Sequence, residues 1–245
     1  LTELPERIDI DEWVELAHHD RRAHDRAVRD GNFMALRRAA FLADGQPSAK
    51  LERLTEIVVE AFDNSRRVVV FSFFRDVLDT VVDALQDRLP VFGPLTGSTP
   101  PDKRQSMIDK FSSAEAGGVL VSQVDAGGVG TNIQAASVVV LCEPQVKPSS
   151  EVQAVARVHR MGQLERVMVH RLLGADSVDQ RMLAILAEKR ATFDRYVRDS
   201  AVTGAAPEAI DVSERELAAR VIAEEQRLLA ERAIRAASSA ATGPE

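Results

Sequence analysis

The sequence predicts an α/β fold with a mostly parallel central sheet, a helical N-terminal lead-in and C-terminal helices. Three observations predict it. From Arg67 onward, apolar runs too short for helices alternate with longer amphipathic segments, the pattern of strands joined by crossover helices. Two of the runs, Val68–Val70 and Val138–Leu141, are continuously apolar, and strands without polar alternation are covered on both faces, as at the centre of a parallel sheet. Before Arg67 and after Ser177 the apolar residues recur at helical spacing instead.

In chain order, Asp11 can cap a helix whose side is formed by Trp13, Leu16, Ala17, Asp20, His24, Ala27 and Val28, ending at Gly31. A short helix with Phe33, Leu36, Ala40 and Phe41 follows. After the Gly45-Gln46-Pro47 break comes a stronger one, from about Ser48, with Leu51, Leu54, Val58 and Phe62. The spacing then gives a strand at Val68–Ser72, a helix at Arg75–Leu89, a strand near Val91–Leu95, a helix through Met107, Ile108 and Phe111, and a strand at Val119–Ser122. A glycine-rich loop, the strand Val138–Cys142, a helix capped by Ser149 or Ser150 and the strand Val167–Leu172 complete the sheet. A helix from Ser177 to about Val197 leads to a Gly/Ala/Pro linker at Thr203–Pro207. Ser213-Glu214-Arg215-Glu216 is a capping box for a last charged helix reaching about Ala236, and Ser238–Glu245 reads as a frayed end. The expected division is 1–47 lead-in, 48–200 α/β lobe, and 201–245 linker with a bracing or partner-seeking helix.

Composition narrows the function classes. The 245 residues are 45% hydrophobic and 28% charged with a net charge of −7, so nucleic-acid binding would need a local basic patch. One lies between Lys147 and Arg171, where Arg157, Arg160 and Arg166 join those two against Glu151 and Glu165. Cys142 is the only cysteine, which excludes internal disulfides and cysteine zinc sites and fits a reducing compartment. The five histidines lack metal-ligand spacing, and no apolar run approaches the ~18 residues of a membrane span.

The chemistry concentrates in loops after the strands, which form the ligand crevice of an open α/β sheet. Gly127-Gly128-Val129-Gly130 with Thr131 and Asn132 can turn backbone N–H groups toward an anion, although it is not a dinucleotide fingerprint and turn formation alone also explains it. The same holds for Gly97-Ser98-Thr99. In Gln153–Gln163, the residues Val152, Val155, Ala156 and His159 fall on one stripe, and Gln153, Arg157 and Arg160 on a neighbouring face. Two guanidiniums a turn apart suit a developing phosphoryl charge; arginines at a helix end also simply complement its dipole.

Taken together, these segments resemble the second RecA-like lobe of Swi/Snf-type ATPases of helicase superfamily two. VVVFSFF (68–74) is similar to motif IV, LTGSTPPDKRQSMIDKF (95–111) to the segment after it, VLVSQVDAGGVGTNIQAASVVVL (119–141) to motif V, and QAVARVHRMGQ (153–163) to motif VI. The resemblance covers roughly residues 48–199 and implies a RecA-like three-layer fold. It implies that Arg157 and Arg160 are arginine fingers reaching ATP on another lobe, supported by Gln153, with Gly128, Gly130 and Asn132 near the nucleotide. It also implies that Ser72, Gly97, Ser98, Thr99, Ser122 and Gln123 face one strand of double-stranded DNA. His159 is expected to line the core. The chain departs from the pattern at Glu143-Pro144-Gln145-Val146-Lys147-Pro148, where the family has an Asp and a Trp-Asn-Pro, and at Thr131, where an aliphatic residue is usual.

A GxxxxGK[ST] phosphate loop and an Asp-Glu-x-His box are both missing. The resemblance therefore implies that ATP and Mg2+ are held mainly by an absent first lobe, that the chain is the C-terminal half of a larger ATPase, and that alone it is inactive and binds no cofactor. Its expected partners are that first lobe, double-stranded DNA and a protein partner for the last helix, with no membrane; its expected location is cytoplasmic, at the nucleoid if bacterial. The competing readings are a non-catalytic DNA- or protein-binding module on the same fold, and an RNA helicase lobe.

Overall fold

A computed structural model describes residues 4–42, 48–126, 132–199 and 213–241. Its strands are β1 (Arg7–Val14), β2 (Val68–Ser72), β3 (Val91–Leu95), β4 (Val119–Gln123), β5 (Val138–Leu141) and β6 (Val167–Gly174). They form one sheet in the order β1-β6-β5-β2-β4-β3, and every neighbouring pair is parallel. The helices are α1 (His18–Arg29), α2 (Phe33–Arg38), α3 (Ala49–Asp63), α4 (Arg75–Leu85), α5 (Pro101–Ser113), α6 (Pro148–Ala156), α7 (Val178–Asp199) and α8 (Glu214–Ala241).

The continuous apolar runs explain the layers. Successive side chains of a strand point to opposite faces, so Val68 and Val70 pack under α3 and α4 with Leu54, Val58, Leu78 and Val81. Val69 and Phe71 pack on the opposite side with Phe111 of α5 and Ala154, Val155 and Val158 at α6. Each fully buried Val, Leu or Phe side chain contributes about 1.5–3 kcal/mol. The chain leaves β2 for β3, returns through β4, then crosses to β5 on the other side of β2. That reversal opens a crevice at the carboxyl ends of β4, β2 and β5.

The N-terminal segment differs from its sequence expectation. Residues 7–14 are a strand, and the first helix starts at His18 with Ala17 as its cap, not at Asp11. The reason lies in Arg7-Ile8-Asp9-Ile10, a period-two alternation whose inward face continues with a charged residue. Glu12 accepts hydrogen bonds from His170 Nδ1 at 2.8 Å and Arg53 Nε at 3.1 Å, so it satisfies an inward position that an apolar pattern would have filled. Further along, α1 and α2 pack against α7 and α8 around Val28, Leu36, Met182, Leu217 and Val221.

A buried ion pair ties the lobe to its ends. Lys50 is fully buried at the start of α3; its Nζ lies 2.6 Å from Asp179 Oδ2 of α7 and donates to the Cys142 carbonyl at 3.2 Å. Asp179 Oδ2 also accepts the Gly174 N–H at 2.8 Å. One charge pair thus joins α3, α7 and the ends of β5 and β6. The Gly45–Pro47 break and the Thr203–Pro207 linker lie outside the described residues. The last helix, expected to end near Ala236, continues to Ala241, and residues 242–245 lie outside the described residues.

Candidate functional site

Helix α6 is shorter than the sequence suggests. Lys147 is its N-cap, with Pro148 at the first helical position, and Arg157 is its C-cap; Ser149 and Ser150 are inside it, so neither caps it. Its packing face is Ala154, Val155 and Val158, all buried, whereas Val152 is 50% exposed and Ala156 lies outward. His159 is half-buried past the helix end, where its Nε2 donates to the Pro5 carbonyl at 2.7 Å.

The two arginines therefore sit differently from one another. Arg157 is half-buried where the helix stops, and its carbonyl accepts the Ile133 N–H at 3.0 Å. Burial pulls its guanidinium below the ordinary arginine value; Asp125, at the end of β4, opposes that and Arg104 of α5 reinforces it. Arg160 is exposed in the following turn, and its side chain has no hydrogen bond or ion pair among the described residues. Gln153 is exposed on α6.

What fixes the turn carrying Arg160 is Gln163. It is 5% exposed; its Nε2 donates to the carbonyls of Gln134, Ala136 and Val158 at 3.1, 2.8 and 3.4 Å, and its Oε1 accepts the N–H groups of Leu164 and Glu165, each at 2.9 Å. Gly162 has φ +98, and a Cβ there would lie 3.1 Å from Gln134 Nε2. Asn132 is exposed, with its amide bonded to Gln134 Oε1 at 2.9 Å. Gly128 and Gly130 lie outside the described residues.

The loops expected to face a nucleic acid divide into two sets. Gly97 and Ser98 are exposed, and Thr99 and Gln123 are half-buried. Arg75 approaches this loop through a 3.4 Å bond to Ser98 Oγ, and Arg104 donates to the Thr99 carbonyl at 3.2 Å. Ser72 and Ser122 are corrections to the expectation: they are 0% and 3% exposed, and their hydroxyls donate to Glu143 Oε2 at 2.9 Å and to the Gln123 carbonyl at 3.1 Å. They have no surface to offer a phosphate and instead hold the loops in place.

Glu143 and Gln145, singled out in the sequence only as part of a departure from the pattern, are buried beneath the loops that follow β2 and β5. Glu143 is buried after β5; its Oε1 accepts the Phe73 N–H at 2.7 Å and Gln145 Nε2 at 2.9 Å. Burial raises its pKa, opposed by Arg37 and by the bonds from Phe73, Gln145 and Ser72. Arg37 stands behind it, stacked over the Phe73 and Phe74 rings at 5.5 and 5.0 Å. A charged residue in a loop departing from a known motif was the available signal. Among the described residues no cluster of three or more His, Cys, Asp or Glu could hold a metal ion, and no helix is long and apolar enough to cross a membrane.

With this geometry in hand, residues 49–162 match the helicase conserved C-terminal domain. The chain superposes on the C-terminal part of the Fun30 ATPase domain with a TM-score of 0.74 at 18% identity, covering 94% of this chain and 99% of that one. Residues 49–162 are thus similar to a helicase C-terminal domain, and the chain has the fold of Swi2/Snf2 ATPase C-terminal lobes. The chain also superposes on the Sulfolobus solfataricus SWI2/SNF2 ATPase core in complex with double-stranded DNA (TM-score 0.67, 22% identity), covering 90% of this chain and 51% of that one. In sequence it is 36% identical over 143 residues to an uncharacterized ATP-dependent helicase of Mycoplasma pneumoniae, covering 58% of this chain and 14% of that protein. It is 31% identical over 156 residues to the ATP-dependent helicase fft3 of Schizosaccharomyces pombe, covering 64% of this chain and 17% of that protein. The chain thus spans less than a quarter of the length of these curated relatives.

Proposed function

We propose that this chain is the C-terminal motor lobe of a DNA-dependent ATPase, in which Arg157 and Arg160 meet ATP held by a first lobe and the exposed loops meet the backbone of a DNA duplex. The observation that carries the reading is the arginine pair: Arg157 ends α6 half-buried beside the β4 loop, and Arg160 projects from a turn locked by Gln163. Guanidiniums held in place by a helix end and a locked turn suit a phosphoryl group gaining charge. Gln153, exposed one turn before Arg157, supports the pair, and Asn132 borders the same face.

The residues here fit the neutralising part of such a site: they offer cations and amides and, among the described residues, no set of carboxylates for Mg2+. Mg2+ and the grip on the phosphates would come from the first lobe, and the lobe alone would be inactive. On the other side of the crevice, Gly97, Ser98, Thr99 and Gln123 with Arg75 and Arg104 present backbone N–H, hydroxyl and guanidinium donors. Donors of this kind position a duplex without reading its sequence. The organisation that goes with this reading is a motor lobe over residues 48–200, with 1–47 and 201–245 as flanking elements, α8 being open to a protein partner.

The test is ATP hydrolysis by the full-length protein with and without duplex DNA. Arg157→Ala and Arg160→Ala should each lower the rate, by up to the ~10³–10⁵ known for arginine fingers. Retained turnover in a folded variant would remove the arginines from the chemistry. Stimulation by duplex RNA in preference to DNA would reassign the substrate.

A further inference from the structure

The loops that would meet DNA and the helix that carries Arg157 are joined by an unbroken line of hydrogen bonds. It starts at the exposed loop, where the Gly97 N–H donates to Gln123 Oε1 at 3.2 Å. Gln123 Nε2 donates to the Phe73 carbonyl at 2.9 Å. Phe73 donates its N–H to Glu143 Oε1 at 2.7 Å, and that same oxygen accepts Gln145 Nε2 at 2.9 Å. The Gln145 N–H then donates to Glu151 Oε1 at 2.8 Å. Glu151 is in the first turns of α6, about 9 Å along the helix axis from Arg157 at a rise of 1.5 Å per residue. The line runs past the carboxyl ends of β3, β4, β2 and β5, neighbours in the sheet, and so spans the crevice.

We propose that Glu143 and Gln145 are positioning residues that couple occupation of the duplex-facing loops to the placement of the arginine helix. The inference rests on the reading of the loops and arginines given above and adds to it the route between them.

Three features distinguish this line from ordinary loop packing. Glu143 is a buried carboxylate that uses both oxygens, Oε2 on Ser72 and Oε1 on Phe73 and Gln145, and charge-assisted bonds of this kind are roughly twice as strong as neutral ones. Arg37 fixes the far side, donating to the Pro144 carbonyl at 3.0 Å while lying over Phe73 and Phe74; the loop after β2 and the loop after β5 therefore cannot shift independently. Gln145 uses both ends of itself, its side chain on Glu143 and its backbone N–H on Glu151. Displacing Phe73 by a phosphate pressing on the neighbouring loop pulls on Glu143, then on Gln145, then on α6.

The experiment uses the full-length protein, measuring ATP turnover with and without duplex DNA. Glu143→Gln replaces one acceptor oxygen with a donor, and Gln145→Met removes the side-chain link while keeping its length. Each should leave the DNA-free rate within about twofold and cut the stimulation by duplex about tenfold or more, inside the usual 5–150-fold span of coupling between sites. The double variant should lose no more than either single one, because both cut the same line. Retained stimulation in a folded variant, equal loss of both rates, or additive losses would each overturn the coupling role.

Hydrogen exchange on the wild type needs no variant: saturating duplex should slow exchange of the Gln145 amide and of the first turn of α6, and unchanged exchange there would overturn the route. A wild type whose hydrolysis ignores duplex altogether would instead overturn the proposed function, and the coupling with it. The two failures are thus distinguishable.

Discussion

Lys50 and Asp179 offer the sharpest test of how the lobe is held to its ends. Lys50→Met keeps the volume of the aliphatic stem beside Phe41, whose ring centroid lies 5.6 Å from Nζ, but leaves the 2% exposed Asp179 carboxylate without its 2.6 Å partner. Removing one member of a buried pair costs about 3–5 kcal/mol, chiefly because the other charge stays buried. Asp179→Asn isolates Lys50 by the same logic, while its amide oxygen still accepts the Gly174 N–H. The two single losses together reach about 6–10 kcal/mol. The double variant strands no charge and should lose only about 1–3 kcal/mol, the scale of hydrogen bonds left unmade. The coupling energy from urea denaturation midpoints and slopes should then be at least about 3 kcal/mol. Single losses under about 1 kcal/mol, or losses that simply add, would refute the claim that this pair clamps α3 to α7.

Gly162→Ala should cost about 1–3 kcal/mol, since φ +98 strains any side chain and the new Cβ meets Gln134; thermal melting would show it, and an unchanged melting temperature would refute the tight turn. Burial raises the Glu12 pKa, but bonds and charges from His170 and Arg53 outweigh it and hold the value below normal. A depressed carboxyl contributes stability that is present above its unfolded value of about 4.3 and lost as pH falls through the folded one. The stability gap between wild type and Glu12→Gln should therefore shrink with acidification below about pH 4.3, and a gap independent of pH would contradict the pairing.

The sheet centre was legible because β2 and β5 bury both faces, which leaves no polar residue to blur the run. β1 was not, since its inward Glu12 becomes intelligible only once His170 and Arg53, from distant segments, stand opposite. Helix α6 was read too long for a similar reason. The apolar spacing of Val152 and Ala156 fits a helix face, but Pro148 and the buried Val158 rotate the packing stripe to Ala154 and Val155. The residue types of Ser72 and Ser122 suggest surface donors; both faces of β2 and β4 are covered, so each is buried although the two point to opposite faces, a fact that depends on packing rather than residue type. Glu143 stayed invisible because a carboxylate gains its meaning from donors that only the folded loops bring to it.

The edge strand β1 has a consequence for how the chain is made. Arg7 pairs with Val167, and the whole strand with β6, so during synthesis β1 has no partner in this sheet until β6, the last of its strands, has followed. Pairings this distant in sequence form late. In the interval, Ile8, Ile10 and Trp13 would be an unpaired strand ready to join another chain, and Asp9, Asp11 and Glu12 place charges among them, the ordinary protection of an exposed edge. The charges that disguise this strand in the sequence are the ones that keep a nascent polypeptide from aggregating before its sheet is complete.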